Sequence, residues 1–577
     1  MPSTSFAVTA AMSVSSLLRR SALCVLALAA IGSWWVRARG FAGIQDYYFI
    51  HQDLPLLFAG GIAMYLGART PLATVGVPVM VKRRAVIALI LAAGIIAYAG
   101  TWLVMNRYAM SRDEDLADFA ARYMQNGLIG LPIPTSLQYI GNAMSPLGAD
   151  GFINQGYWIS GYLPMNSALR AAAGLIGDRW LAGPLLLILG IGATWCSARR
   201  LWPAEREAAF VAVFLAVTST QLVVNAMTPF ATTAHFALNA VWIACFLRGG
   251  RSGHAAAVFC GLVATGLHQF HFHMLFLSGF ITWMALTDRK HLAMLYIASA
   301  LGYYLFWDMV WPRFVMMPML GVVHTTELTV SQTFLNSAMI RLSRFTILEP
   351  LTSAARFMAW QNVLMLPLIW LGAITIRRKN DSTLPITFAF AVSVGIGLAI
   401  MPWQGFGYGY RYLHHVIPCM LLLAASGAMH LYASNSLPKH HLLIASGIFA
   451  GLVTAPFAMW RSHELLAPYA AAYGLARSAP ADVVVVDTLA GAYIQDIVRI
   501  DDPTARPLLL DLSELSSVQI DRLCATQRVM IFGEEAVRAV GVQSAGEINT
   551  PLTASIIAKR ANMVKRGCAT PVPVKAG

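Results

Sequence analysis

Runs of roughly 20 mostly apolar residues recur along most of the chain, and no other feature limits its fold as tightly. A helix needs about 20 such residues to cross the hydrocarbon core of a bilayer. Within lipid, only helices and closed barrels satisfy every backbone polar group. Thirteen spans are expected, near 21–36, 54–70, 84–105, 181–198, 208–226, 230–247, 254–269, 272–287, 291–311, 357–376, 384–402, 412–432 and 441–460. Several are short or carry Gly and Pro, which is tolerated where neighbouring helices re-satisfy the backbone. Composition agrees: 57% of the 577 residues are hydrophobic and 12% are charged, against about 25% charged in a soluble domain. A soluble enzyme, a disordered chain and a disulfide scaffold are excluded. The reading is an α-helical polytopic membrane protein of about thirteen transmembrane helices, N-in and C-out, with a small C-terminal α/β extracytoplasmic domain.

Orientation follows from where the charge sits. Basic clusters mark the cytoplasmic side. Arg19-Arg20, Lys82-Arg83-Arg84, Arg199-Arg200 with Arg206, Arg248 with Arg251, Arg289-Lys290 and Arg377-Arg378-Lys379 fall at every second junction. The net charge of +14 is therefore read as an orientation signal suited to anionic headgroups, and no nucleic-acid partner is expected. Arg19-Arg20 before an apolar stretch also fits a signal peptide. The flank Trp34-Trp35-Val36-Arg37 is a poor cleavage site, so an uncleaved first span is expected.

On this topology residues 1–83 form a two-span extension, 84–460 a transmembrane module and 461–577 an external domain. Two long loops, 106–180 and 312–356, lie on the same outer face as the tail. Cytoplasmic loops are short and no G-x-x-x-x-G-K-[ST] motif is present, which argues against an ATP-driven pump. In the tail, 481–487, 507–511 and 528–533 read as strands, with helices over 489–499 and 516–525. Alternation of this kind implies a small parallel sheet, read as an interaction or lid domain. Cys524 and Cys568 both fall in the tail, where an oxidising compartment permits a disulfide, but spacing alone does not supply the geometry.

Chemistry concentrates at the outer ends of spans. Directly after the third span comes Ser111-Arg112-Asp113-Glu114-Asp115. Three adjacent carboxylates at a membrane boundary are costly unless solvated, paired or used. Leu116 to Gly127 is helical by pattern, so the acids also suit a helix N-terminus, where the dipole favours negative charge. Between the eleventh and twelfth spans the chain reads Pro402-Trp403-Gln404-Gly405-Phe406-Gly407-Tyr408-Gly409-Tyr410-Arg411-Tyr412-Leu413-His414-His415. Its glycines permit close backbone approach, its aromatic rings suit sugar faces, and Arg411 suits a phosphate. An aromatic belt with one anchoring arginine is the other reading of that turn.

A membrane helix, an acidic pair, an amphipathic helix and a long external loop together resemble the GT-C superfamily of integral-membrane glycosyltransferases. That superfamily includes protein O-mannosyltransferases and lipid A aminoarabinose transferases. The resemblance rests on Ser111 to Asp115, on Tyr123, and on the loop's return segment Gln155 to Pro164, which includes Tyr162. Its architecture extends over roughly 84–460, with two spans preceding the motif-bearing helix. It implies a polyprenyl-phosphate-linked sugar donor, an acceptor hydroxyl on a lipid, glycan or protein, and inversion at the anomeric carbon. Asp113 is the expected base, with Glu114 as fallback, and which of the three acids acts stays open.

Other positions are weighed beside these. His268, His271 and His273 cluster after the seventh span; their spacing does not place all three on one helix face, so hydrogen bonding to phosphate or sugar is favoured over a metal site. A divalent metal stays open as a cofactor. Arg341 and Arg344 sit one turn apart in the 312–356 loop and suit a lipid phosphate. Asp150 and Asp178 are weaker second acids. Asn225, Thr228 and His235 read as packing residues of a tight outer turn. The competing function is a transporter or flippase of a lipid-linked or small amphipathic substrate. Internal repeats and midplane charges, its usual signature, are not seen. The expected location is the bacterial inner membrane, with the active face in the periplasm.

Overall fold

The computed structural model describes residues 14–40, 43–69, 82–144, 156–321, 339–340, 342–343, 346–374, 383–401, 404–433, 441–542 and 551–574. A helix occurs at each of the thirteen expected positions. Six helical runs among the described residues are long and apolar enough to cross a membrane: Val14–Ala38, Arg83–Leu103, Arg179–Leu201, Lys290–Leu320, Arg411–Tyr432 and His441–Arg477. Their exposed faces carry Ile95, Leu103, Met294, Leu301 and Leu452. Bare aliphatic side chains at that density belong against lipid rather than water.

The other helices are shorter, for local reasons. The expected span 208–226 breaks into Arg206–Val217 and Thr220–Asn225. At the break the Thr218 hydroxyl bonds back to Phe214 O at 2.7 Å, and Ser219 caps the second piece. Such hydroxyls offer the backbone an alternative to the helical ladder. The expected span 357–376 is likewise interrupted between Leu348–Ala359 and Met365–Ile374. The last span does not stop at 460; it runs as one helix to Arg477.

Small residues set the helix spacing. A Cβ on Gly372 would lie 2.1 Å from Leu423 O, and one on Gly427 would lie 2.1 Å from Leu368 O. Met365–Ile374 and Ile417–Ala433 therefore touch backbone to backbone, the close packing that membrane helices use in place of a hydrophobic driving force. A buried ion pair fastens the segment after the first helix. Arg356 Nε donates to Asp53 Oδ2 at 2.7 Å and Trp360 Nε1 donates to Asp53 Oδ1 at 2.6 Å, all three residues being buried.

The tail folds as expected in kind. Its four strands are parallel, ordered Leu508–Asp511, Val483–Val486, Val529–Phe532 and Ala569–Pro571; the last was not anticipated. Cys524 and Cys568 are joined by a disulfide. The helix expected over 489–499 is only the short turn Ile494–Ile497, because Tyr493 before it adopts a left-handed conformation.

Replacing Asp53 with Ala leaves a buried guanidinium uncompensated. It is expected to destabilise the fold by about 3–5 kcal/mol, seen as a lower thermal midpoint in detergent.

Candidate functional site

The motif after the third span opens the helix Arg112–Gln125. Ser111 is its N-cap, and with Glu114 it makes a capping box: Ser111 Oγ accepts from the Glu114 N–H, and Glu114 Oε2 accepts from the Ser111 N–H at 3.0 Å. That reciprocal arrangement satisfies two orphan donors of the first turn. It occupies Glu114, which is 2% exposed. Asp115 is 5% exposed and faces Arg499 at 3.8 Å. Asp113 differs from both: its side chain is 21% exposed. The three adjacent acids are thus sorted by burial, one capping, one paired inward and one reachable.

Asp113 is held from two sides. Tyr162 Oη donates to its Oδ1 and Arg411 Nη2 donates to its Oδ2. The Tyr162 ring in turn lies against the His268 ring, centroids 3.9 Å apart. Three separate segments therefore meet at one carboxylate: the return of the first long loop, the turn after the seventh expected span, and the glycine-rich turn.

Arg411 is built in rather than draped. Its guanidinium lies over the Phe230 ring at 4.2 Å, a cation–π contact strengthened by desolvation. Its backbone N–H donates to Gln404 Oε1, while Gln404 Nε2 donates to Gly409 O at 2.8 Å. Tyr408 O accepts from Gln221 Nε2 at 2.9 Å and from Asn225 Nδ2 at 3.0 Å. Gly409 has φ of +65°, and a Cβ there would fall 2.0 Å from Gln221 Oε1. The spacing of glycines thus lets this turn close on the buried polar pair Gln221 and Asn225.

The electrostatics follow from this packing. Burial raises the Asp113 pKa, but Arg411, His268 and the Tyr162 hydroxyl more than offset it and hold the carboxyl at about 2. Burial pushes Glu114 up to about 7, against the opposing Ser111 hydrogen bonds. Asp115 is likewise raised by burial, to about 6, with Arg499 opposing. Burial lowers His268 to about 4 despite Asp113, so its imidazole is neutral at pH 7. Beside the pair lies a narrow cavity lined by His268, Arg411, Tyr412, Thr232, His235 and His415, among others.

Not every expected residue reaches this cavity. Tyr408 and Tyr410 are fully buried, and Tyr410 Oη donates to Met401 O; the aromatic residue of that turn that lines the cavity is Tyr412. His271 packs on Phe272 at 4.3 Å between ring centroids. Arg341, Arg344 and Asp150 lie outside the described residues. Asp178 is occupied by a bidentate bond from Arg107 at 2.6 and 2.7 Å. Among the described residues, no three His, Cys, Asp or Glu side chains are grouped to hold a metal.

The tail grips the helix that carries Asp113. Arg112 pairs with Asp496 at 2.9 Å and Arg122 with Asp501. Arg499 donates to Ala109 O and stacks on Tyr108 at 3.9 Å. One turn before Arg122, Asp118 accepts from Arg179 at 3.0 Å. Sequence reading missed Phe230, Gln221, Asp496 and Arg499. Gln221 and Asn225, polar residues four apart in an apolar stretch, were the available signal for the turn's anchor. Nothing local marks Asp496 or Arg499.

No protein-family model and no curated protein matches the sequence. Fourteen solved chains resemble it in structure. They include ArnT from Cupriavidus metallidurans, in the apo state and bound to undecaprenyl phosphate. It is 11% identical with a TM-score of 0.44, and the match covers 85% of this chain and 89% and 90% of those. The oligosaccharyltransferase of Archaeoglobus fulgidus, in complex with Zn and sulfate, is 13% identical with a TM-score of 0.43 over 71% of this chain. These neighbours are GT-C glycosyltransferases. The chain spans 61% of the length of the oligosaccharyltransferase. Identities and TM-scores this low say nothing about chemistry, which has to come from the residues themselves.

Two outcomes test the geometry. Gly409→Ala forces a left-handed alanine onto Gln221, a conformation costing about 1–2 kcal/mol before any clash, and is expected to lower the thermal midpoint. Glu114→Gln keeps an oxygen acceptor for the cap and removes a titrating group. In the folded wild type Glu114 keeps its proton up to about pH 7, whereas the unfolded chain releases it near its ordinary value of 4.5. Wild-type stability therefore falls as pH rises between these values, by an amount on the order of 3 kcal/mol. The Gln variant is expected to lose less stability between pH 5 and pH 8 in thermal melts.

Proposed function

We propose that this protein is an inverting glycosyltransferase that moves a sugar from a polyprenyl-phosphate-linked donor to an acceptor hydroxyl at the outer face of the membrane. One observation carries the reading: of three adjacent carboxylates, Asp113 alone is reachable, and it sits against the buried Arg411. A general base must reach the proton it takes, and a departing phosphate needs a fixed cation. Both requirements meet in one pair. The donor class follows the sequence resemblance.

In the proposed step, Asp113 accepts the proton of the acceptor hydroxyl as that oxygen attacks the anomeric carbon. The bond between that carbon and the phosphate oxygen breaks, the lipid phosphate leaves toward Arg411, and the configuration inverts. The resting pair is a poor base, because a carboxyl held at about 2 lies far below the working pH and proton affinity is what a base supplies. A phosphate that engages Arg411 draws one hydrogen bond away from Asp113 and raises its proton affinity. Donor binding thus primes the base. Tyr162 keeps the carboxylate oriented through the exchange, and neutral His268 offers a hydrogen bond at the cavity wall. Arg341 and Arg344 are proposed to contact the lipid phosphate, and His271, Tyr408 and Tyr410 to shape the substrate-binding region.

The remaining assignments belong to the same proposal. The chain crosses the bacterial inner membrane thirteen times with its N-terminus inside, as the alternating basic clusters support. Residues 84–460 carry the site, 1–83 form a preceding extension, and 461–577 form a periplasmic α/β domain.

Membranes given a labelled polyprenyl-phosphate sugar test the reading. Asp113→Asn is expected to reduce transfer by about 10²–10⁴-fold, with normal insertion. Unchanged transfer would remove Asp113 as base, and no transfer by the wild type with any such donor would favour a transporter.

A further inference from the structure

Away from Asp113, a second cavity of about 430 Å³ opens between the Ile44–Tyr48 turn, the helix Ala455–Arg477 and the tail. Its walls include Tyr47, His51, Glu464, Pro468, Tyr469 and Tyr493. Ligand sites commonly measure about 300–1,000 Å³ and combine apolar walls with a few placed polar groups. The walls are cross-tied: Arg461 pairs with Glu464, donates to His51 O at 3.1 Å and reaches Tyr47 Oη at 3.4 Å, while Tyr469 Oη donates to Ala492 O at 2.9 Å. Tyr493 is held left-handed at φ 55°, a strained state for a residue other than glycine and one that recurs at ligand clamps. Its ring meets Phe406 edge-on at 4.5 Å, and Phe406 belongs to the turn that presents Arg411.

The chemistry of the walls narrows the occupant. Three tyrosines and an imidazole offer flat faces for the apolar side of a sugar ring, with hydroxyls to bond its rim. Among the described residues of the wall, the one charged group is the Glu464 carboxylate, which accepts hydrogen bonds from hydroxyls and repels anions. Among the described lining residues there is no Lys or Arg to meet a phosphate or a uronic acid, and Arg461 is not part of the lining.

We propose that this cavity binds a neutral saccharide portion of the acceptor, a subsite remote from the reacting hydroxyl. It rests on the acceptor-hydroxyl reading above. Remote contacts of this kind supply binding energy for orienting the reacting group, and the Tyr493–Phe406 contact links the subsite to the turn that carries Arg411.

Saturation-transfer NMR on the purified full-length protein in detergent tests this without relying on transfer. The probes are mannotriose, galactotriose and maltotriose, with a uronic-acid trisaccharide as the anionic comparison. At least one neutral probe is expected to bind the wild type and Asp113→Asn alike, so failure of the catalytic reading does not obscure this one. Tyr47→Ala and Glu464→Gln, on different elements and each checked for an unchanged thermal midpoint, are expected to weaken it about tenfold. If no neutral probe binds, if both folded variants bind as the wild type does, or if the anionic probe binds more tightly, the assignment is overturned.

Discussion

The ion pair between Asp113 and Arg411 is the contact on which the site is organised. Its partners are 298 residues apart. Each is also held by contacts of its own: Asp113 by the capped helix start, Arg411 by the glycine-rich turn anchored on Gln221 and Asn225 and by the Phe230 ring. A buried guanidinium without a counter-charge is strongly destabilising, so this placement of Arg411 needs the carboxylate. The same pairing suppresses the basicity of Asp113, and the proposed transferase resolves that conflict by letting the donor phosphate compete for the cation.

Around this pair the helix Arg112–Gln125 is anchored by a row of ion pairs. Asp118 anchors it to Arg179 and, at 3.7 Å, to Arg170. On the same and adjoining faces Arg112, Asp115 and Arg122 meet Asp496, Arg499 and Asp501 of the tail. The tail therefore does more than cap the molecule. It pairs with Asp115 of the acidic triplet through Arg499 and holds the start of the helix from which Asp113 projects. The Asp496–Arg499 segment joins this grip to Tyr493, which faces the second cavity, so the two sites share one short stretch of chain.

Much of this was legible in the sequence, and the limits were local ones. The acidic triplet, the glycine-rich turn and His268 were expected on one face because alternate junctions fall on one side of a membrane, and Asp113, Arg411, Tyr162 and His268 do meet. The parallel sheet was legible because Val483–Val486 and its neighbours read as buried strands. The triplet could not be resolved by spacing: Asp113, Glu114 and Asp115 differ in what stands beside them, and those neighbours come from Ser111, Tyr162, Arg411 and Arg499. Tyr408 and Tyr410 looked like ligand-facing rings because aromatic residues suit both an interface and a core. In the structure both are buried, on either side of the left-handed Gly409.

The sequence by itself determined the helical membrane character, the charge bias of alternate junctions and the capped start of the Asp113 helix. Each arises from properties that sum over neighbouring residues: transfer free energy along a span, charge near its ends, and hydrogen bonds three positions apart. The tertiary structure alone decided which carboxylate is exposed, which arginine it meets, and that the tail holds the helix between them. Those outcomes depend on how helices pack through contacts such as Gly372 against Leu423 and Gly427 against Leu368, and on burial shared between segments hundreds of residues apart, quantities that no local window of sequence contains.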